Sequence, residues 1–495
     1  MRIPPFGLFN RNWRNFLLLR FGFTIVKLPL LTRSQEYRFS GTLISFDNLF
    51  VSLNPSGLIH ECSMKCQLMA TQNKNSPGKM FRALRHPNFR LYIAGMAVSL
   101  AGTWMQQLAQ SWLVYRLTGS EFMLGLVWFC SNIPVLLLSP LAGLAADRYP
   151  RRRIIFAAQF AAMLQAVLLA FLTFSGIVQT WHVIALALVF GVSNAFDIPT
   201  RQAFYIQLVG KDDLINAISL NSATFNAARV AGPALGGIIV ARLGEGPCFA
   251  LNAVSYLAVL GSLAAMRLDE SLEPSPDTPL ERLRQGFAYA WHTPPLRGLL
   301  ATCGLVALSI APVMTLAPMF AGDIFHRGPD GLGLLTSAMG LGAIAGTLSL
   351  ARRTASAGLP RVVFFSAATL SITLTLFAIS PLFNLSLALM PLIGMAIMRH
   401  NASTNTTIQL AIPDHLRGRV MAFYSMMVIG MFPIGSLLAG LLANHLGSRA
   451  AVFLGATGCA AAAAFVYRRQ SQWSNWLTPT RDPNPEADNH HTHRP

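Results

Sequence analysis

Residues 143–153 read Gly-Leu-Ala-Ala-Asp-Arg-Tyr-Pro-Arg-Arg-Arg, a short charged loop between two long runs, 122–146 and 154–195, that contain no Asp, Glu, Lys or Arg. Either run exceeds the roughly 20 apolar residues that carry a helix across a bilayer. A loop this short keeps both of its ends on one membrane face, and its cluster of arginines selects the cytoplasmic face. The expected element is a tight inside turn joining two membrane helices.

Composition extends this reading to the whole chain. Its 495 residues are 53% hydrophobic and only 12% charged, with a mean hydropathy of +0.47, which excludes a pair of soluble domains. The net charge of +18 raises nucleic acid as a partner, but the basic residues lie in short loops between apolar spans rather than on one arm or face. Nucleic acid is therefore not an expected partner. Cys130, Cys248, Cys303 and Cys459 fall inside apolar runs, where free cysteine acts as a small hydrophobe. Cys62 and Cys66 form a lone C-x-x-x-C without a second ligand pair, so no metal site and no cofactor are expected.

Residues 1–79 differ from the rest: the longest apolar run there, 16–31, is interrupted by Arg20 and Lys27. They read as a disordered or interfacial extension, or as a start called too far upstream, with Met80 the more natural beginning. From Leu91, spans are expected near 91–115, 122–146, 154–176, 181–204, 215–242 and 247–267, making an N-terminal six-helix bundle over 80–267. A polar linker, 268–296, carries an amphipathic stripe of Leu280, Leu283, Phe287 and Trp291. Six further spans near 297–322, 331–351, 360–379, 382–404, 416–443 and 449–467 make a C-terminal bundle over 297–469, followed by a disordered tail, 470–495. The expected fold is all-α, twelve transmembrane helices in two six-helix bundles.

Charge placement tests the register. Loops expected inside hold Arg148, Arg151, Arg152, Arg153, Arg201, Lys211, Arg282, Arg284, Arg352, Arg353, Arg361, Arg399, Arg417, Arg419, Arg468 and Arg469, while those expected outside hold one each, Arg116, Arg242, Arg327 and Arg449. Both termini then face the cytoplasm.

An internal repeat supports the two halves. Gln207-Leu208, Leu214, Gly232, Gly237 and Leu243-Gly244 return about two hundred residues later as Gln409-Leu410, Leu416, Gly435, Gly440 and Leu446-Gly447. Spans 5 and 11 are thus two copies of one element. The same alignment makes Asp197 and Arg399 equivalent, and opposite charges on equivalent helices facing across the axis make these two a candidate gate.

The pattern Gly-x-x-Ala-Asp-Arg-x-x-Arg-Arg at 143–152 resembles the loop 2–3 signature of the major facilitator superfamily, with Pro150 where that family usually has Gly. Gly232-Pro233-x-x-Gly236-Gly237 in span 5 resembles the antiporter signature of its drug exporters, although close helix packing explains such glycines equally. Asn194-Ala-Phe-Asp197-Ile-Pro-Thr-Arg201 and Asn216-Ala-Ile-Ser-Leu-Asn221-Ser are similar to the branch containing the enterobactin exporter, and the likeness runs from Met80 to Arg469. The resemblance implies a conformational relay of Asp147, Arg148, Arg151 and Asp197, and a central cavity lined by spans 1, 4, 7 and 10. An inert surface ion pair is the bland alternative for Asp147. Span 4 lacks the embedded Arg of the proton-antiporter signature, so coupling by that route is not expected.

Candidate cavity residues are Gln106, Gln107 and Gln110, interleaved with Trp104 and Trp112, together with Asn194 and Arg229. Trp112 also reads as an interfacial anchor. Arg229 reads equally as a substrate counter-ion or as an interhelical hydrogen-bond donor. No catalytic residue is expected, because no nucleophile, base or metal set converges within the spans; His182 sits at a span edge and His400 at an inside end. The chain is expected to be a monomeric secondary transporter in a bacterial inner membrane, exporting a siderophore-like or amphipathic small molecule by alternating access. An importer or lysophospholipid carrier of the same fold, and a non-transporting sensor, are the rivals.

Overall fold

The computed structural model describes residues 16–21, 24–29, 38–39, 42–43, 81–266, 287–352 and 358–477. The chain divides into two units, Met1–Lys79 and Met80–Pro495. In the first, Phe16–Phe21 (β1) pairs antiparallel with Thr24–Pro29 (β2), and Arg38–Phe39 (β3) pairs with Thr42–Leu43 (β4).

The second unit is helical. Its described residues form twelve long helices: α1 Pro87–Thr118, α2 Glu121–Arg148, α3 Arg151–Phe174, α4 Thr180–Val209, α5 Leu214–Leu243, α6 Gly246–Ala265, α7 Pro294–Thr315, α8 Pro329–Ala351, α9 Leu359–Ile379, α10 Phe383–Ala411, α11 Asp414–Leu446 and α12 Ser448–Leu477. A short turn, Ala317–Met319, and a π-helical turn, Phe320–Ile324, continue α7. Ten of these are long and apolar enough to cross a membrane; α1 and α5 fall short because glutamines, asparagines and Arg229 lower their mean hydropathy. Those two helices carry Gln106, Gln110 and Arg229 into the interior.

Helix pairing repeats between the halves. In the first half α1 packs on α5 and α6, α3 on α4 and α6, and α2 on α4. In the second, α7 packs on α11 and α12, α9 on α10 and α12, and α8 on α10. Adding six to each number converts one set into the other, so the halves share one topology. The contacts between halves obey the same operator, α2 with α11 and α5 with α8.

The repeat read from the sequence falls on these contacts. Gly244 and Gly447 end α5 and α11 with φ of 82° and 85°, a left-handed backbone that favours glycine. A Cβ at Gly237 would lie 2.7 Å from the Pro329 carbonyl and 3.0 Å from Gly333 Cα, and one at Gly440 would lie 2.8 Å from the Glu121 carbonyl and 3.0 Å from Gly125 Cα. Both inter-half crossings are therefore backbone on backbone. They lie at the end of the bundle opposite the 148–151 loop.

One boundary differs from expectation. The tail expected to be disordered from 470 is helical to Leu477. Trp473 there is 1% exposed, packed 6.2 Å from the Phe465 ring and against Gly298. Aromatic burial thus carries α12 beyond the charged pair at 468–469. In the linker, Leu280 and Leu283 lie outside the described residues, while 287–292 is helical and the rings of Phe287 and Trp291 stack 5.8 Å apart.

Candidate functional site

The polar residues of α1 face two ways. Consecutive positions on a helix point about 100° apart, and Gln106 and Gln107 divide accordingly. Gln106 is 2% exposed; its Nε2 donates to Gln165 Oε1 at 2.9 Å and its Oε1 accepts from Asn252 Nδ2 at 2.7 Å. Ser255 Oγ donates to Asn252 Oδ1 at 3.0 Å. This amide network ties α1 to α3 and α6. Gln106 also lines the interior space, with both its polar atoms engaged in this network.

Gln107 is turned away from that network. With Trp104, Leu108 and Ser111 of α1 it lines a hollow of about 610 Å³, open solvent included, bordered by Trp128, Arg229, Pro233, Met314, Thr336, Met339 and Met390 among others. A second hollow of about 410 Å³, likewise counted with open solvent, shares Gln107, Ser111 and Trp128 and adds Gln110, Val127, Ser131 and Phe190. The first lies between the halves, lined from α1, α2, α5, α7, α8 and α10; the second adjoins it through the shared residues and is lined by α1, α2 and α4 of the first half. Asn194, half-buried on α4, is not among the residues lining either space.

Arg229 is 8% exposed and its Nε has no hydrogen-bond partner. Its guanidinium lies 5.8 Å from the centroid of the Trp104 ring, and Trp104 in turn meets Phe225 edge-on at 5.6 Å. Trp128 Nε1 is likewise buried without a partner, while its ring meets Phe432 at 5.7 Å. Among the described residues no Asp or Glu lines either space. Trp128, Met314, Thr336, Met339 and Met390 were not legible as site residues. The signal available for Trp128 is an indole in mid-span, away from the interfaces where tryptophan usually collects.

The glycine motif of α5 serves three contacts. A Cβ at Gly232 would meet the Ala101 carbonyl at 2.7 Å, one at Gly236 would meet Met105 Cγ at 3.1 Å, and Gly237 crosses α8 as described. Pro233 lines the cavity and removes a backbone donor from the helix. In the other half, a Cβ at Gly435 would meet Leu308 of α7 at 2.9 Å, the equivalent of the Gly232 contact on α1.

At the other end, Asp197 is 2% exposed. It accepts from Gln159 Nε2 at 3.0 Å and forms an ion pair with Arg201, one helical turn on. The sequence reading gave Asp197 to Arg151 or Arg399. In this conformation Arg151 Nη1 donates to the Ala203 carbonyl at 3.2 Å, and among the described residues no ion pair joins Asp197 to Arg399. Arg152 donates to the carbonyls of Met266 and Ala264 at 3.1 and 3.0 Å, binding the C-terminal end of α6 where the helix dipole favours a cation. Arg148 is exposed, and the Asp147 side chain lies outside the described residues.

His400, read from the sequence as lying at an inside end of span 10, has polar neighbours there. It is fully buried, and both ring nitrogens, with Ser403 Oγ, Thr404 Oγ1 and Ser366 Oγ, have no partner. The three α10 residues follow the i, i+3, i+4 spacing of one helix face, a pattern present in the sequence but masked by apolar neighbours.

The family model described as "Transmembrane secretion effector" matches residues 79–490. The chain belongs to that family. Among relatives of this secretion effector, the "Multidrug efflux pump Tap" of Mycolicibacterium fortuitum is 26% identical over 382 residues, 75% of this chain and 92% of the relative. The "Staphyloferrin A transporter" of Staphylococcus aureus (strain NCTC 8325 / PS 47) is 26% identical over 347 residues, 70% and 87% of the two chains. The crystal structure of the nucleoside transporter NupG superposes with a TM-score of 0.62 at 16% identity, covering 77% of this chain and 98% of that one, which bears on fold alone. The secretion effector is a multi-pass membrane protein and a secondary transporter of small molecules, not an enzyme.

Proposed function

We propose that this secretion effector exports an amphipathic, siderophore-like small molecule across a bacterial inner membrane as a monomer, both termini cytoplasmic. The observation that carries the reading is the hollow between two topologically equivalent halves, closed at one end by the paired glycine crossings and by Tyr115 bonded to Asp323. With the arginine-rich 148–151 loop on the inside, the closed end is the outer one and the conformation faces inward. Leu137 and Leu141 of α2 and Ile218 of α5, toward the inner end, are more than half exposed, in keeping with a separated inner gate. The curated relatives named for efflux and for a siderophore support export.

In this reading the 148–151 loop and Asp197 hold the inner ends of α3, α4 and α6 as one block, and Arg399 meets Asp197 only when the inner gate closes. Inverted vesicles energised with a respiratory substrate and given a panel of amphipathic compounds, iron-free siderophores included, should accumulate at least one of them. Accumulation in right-side-out vesicles alone would establish import instead. Movement in neither orientation, with correctly inserted protein, would sink the transport reading for those compounds and favour a sensor.

A further inference from the structure

The cavity's chemistry is one-sided. Its wall offers a guanidinium at Arg229, whose Nε has no hydrogen-bond partner, and an indole N–H at Trp128, which has none either. Gln107, Ser111 and Thr336 are the neutral polar residues beside them, and among the described residues no carboxylate lines either space. Thr336 Oγ1 already donates within its own helix, to the Leu332 carbonyl at 2.8 Å. A buried guanidinium without a counter-charge is strongly unfavourable. The Trp104 face at 5.8 Å offsets only part of that, because a cation–π contact is weaker than the lost hydration.

The fold does not require a cation there. Gly232 is equivalent to Gly435, and the same offset makes Phe432 the counterpart of Arg229. Phe432 fills its position with an aromatic ring packed on Trp128. A helix in this place is thus satisfied by an apolar residue, and the charge at 229 is left for something that enters the cavity.

We propose that the cavity selects amphipathic organic anions: a carboxylate or similar acid head held by Arg229 and Trp128 Nε1, with an apolar or aromatic body against Trp104, Met314, Met339 and Met390. A bidentate acid matches the planar fork of a guanidinium. The thioethers adapt to bodies of different shape. Lipophilic cations of similar size are rejected, since they would enter beside an uncompensated positive charge. This deepens the proposed transport role and rests on the same cavity, but its test reads binding and does not require transport.

The probes are pyrene-1-butyrate, its neutral alcohol 1-pyrenebutanol, and the corresponding pyrenebutyl-trimethylammonium cation, measured by energy transfer from tryptophan to pyrene on purified protein in lipid nanodiscs. The wild-type protein should bind the carboxylate about tenfold or more tightly than the alcohol, and the cation more weakly than either. Arg229→Gln should remove the preference for the carboxylate while leaving the alcohol's affinity within about twofold, and Arg229→Lys should restore part of it. Equal affinity of the wild type for all three probes would overturn the proposal, whether or not any variant folds. So would parallel loss of all three in a well-folded Arg229→Gln, which would make Arg229 a packing residue. Selective binding of the carboxylate without its accumulation in inverted vesicles would uphold the anion site and count against the export reading. Accumulation of the cation or alcohol with no preference for the acid would do the reverse.

Discussion

The phenolic hydroxyl of Tyr115 donates a 2.6 Å hydrogen bond to Asp323 Oδ1, joining the end of α1 to the π-helical turn that continues α7. Its position has no slack, since a Cβ on the adjacent Gly322 would run into the Tyr115 ring. The bond spans the two halves at their closed end, so it exists only while that end is shut. Tyr115→Phe removes it without changing the ring, and a hydrogen bond to a charged acceptor is worth about 1.5–3 kcal/mol. Spin labels on Thr118→Cys and Arg327→Cys should show at least a several-fold rise in the population open at this end. An unchanged distance distribution would mean that the glycine crossings alone hold it.

Substitution at those crossings should act in the same sense, by steric exclusion rather than by loss of a bond. Gly237→Ala and Gly440→Ala each place a methyl about 3 Å from a backbone atom of the facing helix, so the closed end cannot seat. Transport should fall by roughly tenfold or more for Leu at either position, with insertion intact, and less for Ala. Gly261, where a Cβ meets nothing within 4 Å, is the control: Gly261→Ala should transport normally.

The buried pair of Asp197 and Arg201 makes a thermal prediction. Asp197→Asn leaves Arg201, 14% exposed at its side chain, without its counter-charge, at a cost of about 3 kcal/mol. A melting temperature lowered by several degrees is expected, and Asp197→Asn combined with Arg201→Gln should recover much of it. Charge exchange between Asp197 and Arg399 reads the other state: partial return of transport in Asp197→Arg with Arg399→Asp would place those two together when the inner gate closes. Loss without return would assign Asp197 to Arg201 alone.

Gln106 and Gln107, neighbours in sequence, should behave as different kinds of residue. Gln106→Leu orphans buried amides on Gln165 and Asn252 and should lower stability by about 1–3 kcal/mol with the ranking of substrates unchanged. Gln107→Leu should leave stability within about 0.5 kcal/mol and alter that ranking. Melting curves and competition binding on the two variants separate the outcomes.

Expression from Met80 should give inserted, active protein at levels within about twofold of the full chain. The family match begins at residue 79, and the chain's two units part between Lys79 and Met80. A large loss of inserted protein or of transport would show that residues 1–79 contribute to the core.

The spans, the two halves and the repeat were legible because each rests on a long-range regularity: uncharged stretches of fixed length, arginines on alternate loops, glycines at equal offset. Gly237 and Gly440 show how much that regularity held, since both fall on inter-half crossings. The cavity was only partly legible. An amide stripe announces that α1 has a polar side, but not which of two adjacent glutamines faces a network and which a hollow. That depends on α3 and α6 bringing Gln165 and Asn252 to one side. Trp128 and the methionines of α8 and α10 looked like ordinary core, because lining a dry cavity and packing a core demand the same residues. Asp197 and Arg201 sit at a spacing that pairs them on any helix, and the longer-range partners drawn from likeness and symmetry hid this local one.

The glycine crossings bear on how fast such a molecule can work. Where two helices meet backbone to backbone, parting them uncovers little side-chain surface, and no interlocked side chains must change rotamer before they separate. The heat-capacity change of opening scales with apolar surface exposed and should accordingly be small, so the balance between the two states should vary little with temperature. A membrane that warms and cools with its surroundings would then hold a pump whose duty cycle stays nearly constant, its tempo set by what occupies the hollow rather than by the seam that closes it.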